Sequence, residues 1–138
     1  AGGRIARIDV ESRSIGNISP PLDVDSGPKN SPDDSLIVFS SLVSFGSHVG
    51  VARRLHLMGT DGSNRRALTG NEFRYESAVG WSADGREILY NGESDELVPY
   101  QNPPREILVI GSNGAGMRKI TPFDYKEAIS IATSWRKE

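Results

Sequence analysis

The stretch "LMGTDGSNRRALT", Leu57–Thr69, is nearly restated 52 residues later as "VIGSNGAGMRKIT", Val109–Thr121. Each copy reads as the end of an apolar strand, a Gly-bearing turn and a second short strand. The echo extends in both directions. "SPDDSLIVFSS", Ser31–Ser41, is matched by "SADGREILYNG", Ser82–Gly92, at an offset of 51 residues. Asp61-Gly62 recurs as Asn113-Gly114 at an offset of 52, and Trp81 as Trp135 at an offset of 54. A fainter copy, "RIARIDVESRSIGNIS", occupies Arg4–Ser19. Self-similarity at that period marks a supersecondary unit that buries its faces by stacking on its own copies.

The unit is built of strands. In "RRLHLMG", Arg53–Gly59, Leu55 and Leu57 alternate with His56 and Met58, which predicts a half-buried strand with the leucines inside. Asp84-Gly85, ahead of the apolar run Glu87–Tyr90, predicts a two-residue type I′ hairpin in which both central residues take positive φ. Asp61-Gly62-Ser63-Asn64 predicts another hairpin before "RRALT". No apolar stripe of helical period runs for ten residues or more. With 15 Gly and 8 Pro in 138 residues the turns are frequent, so the strands are short. The reading is an all-β chain with four short antiparallel strands per unit.

Composition narrows the function classes. The 16 Lys and Arg are balanced by 18 Asp and Glu, a net charge of -2, so nucleic acid is not an expected partner. No stretch approaches the ~18 apolar residues of a membrane span. Cysteine is absent, which excludes disulfides, thiolate nucleophiles and Cys-based zinc sites while suiting an oxidising compartment equally well. No signal-peptide pattern opens the sequence, as a mature exported chain would have lost one.

Four-stranded sheets repeated at a fixed period predict propeller blades. A lone sheet of that size cannot cover both faces, and stacking around an axis covers them. A β-sandwich also uses many short strands but gives its sequence no reason to repeat. The motif carries a resemblance as well. "LHLMGTDGSNRRALT", Leu55–Thr69, followed by "SAVGWSADGREILYNG", Ser77–Gly92, resembles the repeat of TolB-like β-propellers of the W-S-P-D-G type. The likeness is close over Leu55–Gly92, looser over Ile107–Trp135 and loosest over Arg4–Ser41. Asn30 stands in place of the Trp, Asp34 in place of the Gly and Ala83 in place of the Pro.

On that pattern the chain is a single partial propeller with units at residues 4–19, 26–69, 77–121 and 128–135. The first unit supplies a third and a fourth strand, the next two are whole blades, and the last is one first strand. About three blades do not close a ring, since closed propellers have roughly four to eight. The expectation is either a fragment of a larger propeller or a homodimer closing a six-bladed ring. In the dimer the last strand of one chain would join the opening strands of the other.

Few residues suggest chemistry. Trp81 and Trp135 recur with the period, as core residues wedged between blades do. Asp61 and Asp84 are expected to bond the backbone of their own turns rather than to act as an acid–base pair. Asp23-x-Asp25 supplies too few oxygens for calcium. His56 is expected as a polar strand position, and His48, in the loop "SFGSHVG", is the better functional histidine. Neither has convergent ligands in the spacing, so no metal and no cofactor are assigned. No G-x-S-x-G elbow occurs, and "GSNGAG", Gly111–Gly116, lacks the helix a dinucleotide fingerprint needs and is expected to be a hairpin turn. No catalytic residue is assigned.

Propeller ligands sit at the loops around the channel mouth. By the strand order above, these are Pro20–Asp25, Ser44–Ala52, Gly70–Glu76, Ser94–Pro104 and Pro122–Glu127. They hold the candidate contact residues His48, Arg74, Tyr75, Glu76, Tyr100, Gln101, Tyr125, Lys126 and Glu127. The resemblance implies a non-catalytic scaffold binding a protein or peptide, in a bacterium and periplasmic or exported. Related propellers imply two alternatives: a metal-dependent oligosaccharide lyase using His48, and the gating propeller of a prolyl oligopeptidase-type peptidase.

Overall fold

The repeat in the sequence is a repeat of meanders. The computed structural model describes residues 3–44, 51–70, 72–93 and 105–121, and no helix occurs among them. β1 (Ala6–Asp9) and β2 (Ser14–Asn17) form an antiparallel hairpin. β3 (Asp25–Asn30), β4 (Leu36–Ser44), β5 (Val51–Gly59) and β6 (Arg66–Ala67) follow as an antiparallel meander. β7 (Tyr75–Trp81), β8 (Glu87–Glu93), β9 (Arg105–Gly111) and β10 (Arg118–Lys119) form a second. The two meanders meet at one parallel bridge, Arg53↔Tyr75, so they are separate four-stranded blades set side by side. The fold is a partial β-propeller, and the described strands do not close into a ring.

The copies agree in local detail. The first strand of each blade is bulged against the second, between Ser26 and Lys29 in β3 and between Ala78 and Gly80 in β7. The β5–β6 turn is closed by Gly59 N to Ser63 O and by Gly62 N to Gly59 O, both 2.8 Å. The β9–β10 turn repeats this with Gly111 N to Ala115 O and Gly114 N to Gly111 O, again 2.8 Å. Gly62 and Gly114 take φ of 86° and 84°, a conformation that a side chain resists. Gly111–Gly116 is thus the hairpin turn expected of it.

The Asp84-Gly85 hairpin is not the expected two-residue type I′ turn. Gly85 has φ of 69°, but Asp84 is not among the positive-φ residues. The hairpin closes between Ser82 N and Glu87 O at 2.8 Å, around a turn in which Gly85 N donates to Ser82 O at 2.9 Å. Asp84 Oδ1 accepts from Ser82 Oγ (2.6 Å) and from Arg86 N (3.1 Å). Those bonds replace what a second positive φ would have achieved. The β3–β4 hairpin is built alike: Asp33 Oδ1 accepts from Ser31 Oγ (2.6 Å) and Ser35 N (3.1 Å). Asp34 there fills the place of Gly85, at φ of 55°.

The core lies in the seams between units. Ile5 of the opening segment packs with Ile37, Phe39 and Met58 of the first blade, flanked by Ile18. Val38, Leu55, Leu57 and Leu68 pack with Ile88, Tyr90, Leu108 and Ile110 of the second blade, flanked by Phe73, Ala78 and Trp81. The half-buried reading of "RRLHLMG" is therefore corrected: Leu55 and Leu57 face one seam while Met58 on the opposite side faces the other. A middle blade has a neighbour on each side, so both faces of its central strands β4 and β5 are covered, while β3 and β6 stay largely exposed. Each of the large apolar side chains so enclosed contributes about 1.5–3 kcal/mol.

Candidate functional site

The segment entering the second blade carries the described part of the expected contact rim. Arg74 N donates to Glu93 O at 2.8 Å, and Arg74 O accepts from Arg53 N at 2.9 Å. Arg74 is therefore pinned between the end of β8 and the start of β5. Its guanidinium lies over the Tyr75 ring, 5.2 Å from the centroid, a cation–π arrangement. Both side chains are half-buried. Beside them Arg53 Nη1 donates to Ser26 Oγ at 2.8 Å. Arg54, buried, donates to the carbonyls of Phe73 and Arg74. An arginine and a tyrosine are thus stacked together, on a backbone bonded to both neighbouring strands, where the first strand of the blade begins.

Glu76 departs from its expected place on an exposed loop. It is the second residue of β7, and its side chain is fully buried. Alternation along the strand turns it away from the side that Tyr75 takes. Its Oε2 accepts from Leu55 N at 3.1 Å and from Thr69 Oγ1, while Thr69 Oγ1 also accepts from Leu55 N at 3.0 Å. Leu55 and Thr69 belong to the preceding blade, so Glu76 ties two blades together. Burial pushes its pKa up to about 7; the bonds from Thr69 and Leu55 and the charge of Arg54 oppose that rise without cancelling it. His48, Tyr100, Gln101, Tyr125, Lys126 and Glu127 lie outside the described residues, as does Trp135.

The same device stands one blade earlier, where the sequence reading missed it. Asp25 opens β3, and Ser19 Oγ donates to its Oδ2 at 2.6 Å while accepting from Ile5 N at 3.0 Å. Here the carboxylate has a counter-charge. Arg65 donates to both Asp25 oxygens at 2.9 Å and to Ser41 Oγ at 2.8 Å, pairs with Asp23 at 3.0 Å, and lies over the Phe39 ring at 4.6 Å. Burial raises the Asp25 pKa, but the bonds from Arg65, Ser19 and Ser41 and the Arg65 charge outweigh it and hold it below the usual value. The Asp23-x-Asp25 carboxylates thus serve an arginine. The available signal was a hydroxyl that closes one unit and an acid that opens the next: Ser19 before Asp25, Thr69 before Glu76.

The remaining candidates take structural places. Asp61 Oδ1 accepts from Ser63 N at 2.9 Å, so it caps its own turn as Asp84 does. His56 lies against Phe39, ring centroids 5.8 Å apart, and burial lowers its pKa. Trp81 packs on the seam cluster, and its Nε1 donates to Lys29 O of the preceding blade at 2.9 Å, the inter-blade wedge expected of it.

No protein-family model matches the chain, and no curated protein does. Solved structures do. A protein assigned as TolB in Agrobacterium tumefaciens matches with a TM-score of 0.67 and 17% identity, over 84% of this chain and 40% of that one. TolB from Acinetobacter baumannii matches with a TM-score of 0.63 and 17% identity, over 91% of this chain and 28% of that one. Tricorn protease matches with a TM-score of 0.57 and 17% identity, over 78% of this chain and 11% of that one. The chain spans less than half the length of either TolB. The likeness is one of fold, and the fold it gives this chain is that of the TolB-like β-propeller.

Proposed function

We propose that the chain serves as a non-catalytic scaffold that binds a protein or peptide at the strand-start edge of its blades. The observation that carries this reading is the Arg74–Tyr75 pair. The two side chains are stacked on each other, fixed through the Arg74 backbone and left half-exposed. Arg and Tyr anchor protein contacts disproportionately, and an anchor already held in place loses little entropy on binding. The two buried carboxyls, by contrast, are consumed in seam bonds. An exported location accords with the likeness to TolB. The likeness to tricorn protease supports a second reading, a propeller segment that accompanies a peptidase; a longer reading frame containing a protease domain would establish it.

The test is a peptide library selected on the immobilised chain, with affinities then measured by calorimetry. Arg74→Ala and Tyr75→Ala are each expected to weaken the selected peptides about tenfold or more, the loss of one interface anchor. Peptides that bind both variants as tightly as the unaltered chain would overturn the reading.

A further inference from the structure

The stack of units is capped at neither of its described ends, and equivalent residues show it. Ile8, Met58 and Ile110 hold the same place in the third strand of successive units. Met58 and Ile110 are 1% and 4% exposed because a preceding unit covers them; Ile8 is 63% exposed. Its cross-strand neighbour Ile15 is exposed as well. The opposite faces tell the complementary story. Ile18, Leu68 and Ile120 hold one place in the fourth strand. Ile18 packs into the first seam and Leu68, 7% exposed, into the second. Ile120 is 54% exposed. In the first seam Ile18 and Met58 belong to one cluster. Ile120 and Ile8 are the same two positions, each lacking the other.

We propose that a second copy of this chain docks head to tail on the open face of the β1–β2 hairpin, with its Ile120 seated against Ile8. The contact continues an interface that the molecule already forms twice within itself. It needs no new chemistry at that pair, because Ile18 with Met58 and Leu68 with Ile110 already meet in the two seams within the chain. An uncovered sheet face with an open β1 edge also favours association over solvation. A head-to-tail contact related by a two-fold axis closes after two copies. The proposal is independent of what that mouth binds.

The test is the solution mass of the 138-residue chain at micromolar concentration. At least twice the 15.0 kDa of one chain is expected. Ile8→Lys and Ile120→Glu should each give a monomer with unchanged circular dichroism, since both sites are exposed. Combined in one chain, Ile8→Lys and Ile120→Glu should restore the assembly, because opposite charges meet only in a head-to-tail seam. A monomeric unaltered chain would overturn the proposal and assign the open face to an earlier blade of a longer polypeptide. An assembly indifferent to both single changes, or not restored by the double change, would overturn it too.

Discussion

The two seams solve one problem with opposite electrostatics. In each, an acid opening one blade holds the hydroxyl that closes the blade before it, and that hydroxyl holds a backbone N–H at the preceding third strand, Leu55 within β5 or Ile5 just ahead of β1. At the first seam the acid is Asp25, clamped by both nitrogens of Arg65 and kept ionised. At the second it is Glu76, whose Oε1 makes no hydrogen bond among the described residues and whose pKa stands near neutrality. The geometry of the joint is set by the hydroxyl and the N–H. The charge state is set by whether the bonds and charge at the acid outweigh its burial: at Asp25 they do, and at Glu76 they do not.

Removing that arginine should have the largest effect. Arg65→Ala leaves Asp25 buried without its counter-charge, which costs about 3–5 kcal/mol. Urea unfolding should show the midpoint falling accordingly, and Arg65→Ala combined with Asp25→Asn should recover much of the loss. If the single and double variants unfold alike, the ion pair is not what holds the first seam.

The second seam should respond to pH in the opposite sense from the first. Glu76 binds its proton more tightly when folded, so its contribution is full below its ordinary value of 4.5 and is lost as pH rises through about 7. Asp25 is depressed, so its contribution is present above 3.8 and lost only as pH falls through its lower folded value. Glu76→Gln keeps an acceptor for Leu55 and Thr69 and removes the ionisation. Relative to the unaltered chain it should gain on the order of 1–3 kcal/mol between pH 5 and pH 8. A stability difference that is flat across that interval would show that Glu76 does not titrate there.

These seams also mark how far the sequence could be read. The places of the turns were legible because their signals are local, although the type I′ geometry expected at Asp84-Gly85 is not found there. Asp61 and Asp84 bond residues two positions away, and the glycines that need positive φ stand beside them. The strand alternation was legible too, but not that both faces of β5 are covered, since covering depends on blades distant in sequence. Arg65 and Asp25 are 40 residues apart, and no pattern along the chain pairs them. Glu76 was read as a loop contact because the repeat pattern starts the second blade at Ser77, whereas β7 starts at Tyr75. Only its place in β7, opposite in phase to Tyr75, turns it inward.

Trp81 couples the same blades more weakly. Trp81→Phe keeps most of the packing but removes the bond to Lys29 O, which should cost about 1 kcal/mol. Circular dichroism during urea unfolding would read this, and an unchanged midpoint would mean that the indole nitrogen is served equally well by water.

The smallest effect should come from a hairpin that departs from its twin. Asp34 adopts φ of 55° where Gly85 adopts 69°, with the surrounding bonds otherwise repeated. A side chain in that region is strained by about 1–2 kcal/mol, whereas glycine enters it freely at an entropic cost of about 0.5–1 kcal/mol in the unfolded chain. Asp34 offsets part of its strain through the bond from Asn30 Nδ2 at 3.3 Å, which is exposed and long. Asp34→Gly should therefore raise stability by roughly 0.5 kcal/mol, seen as a small upward shift of the thermal midpoint. A downward shift instead would mean that the Asn30 bond, weak by its length, outweighs the strain of the backbone that presents it.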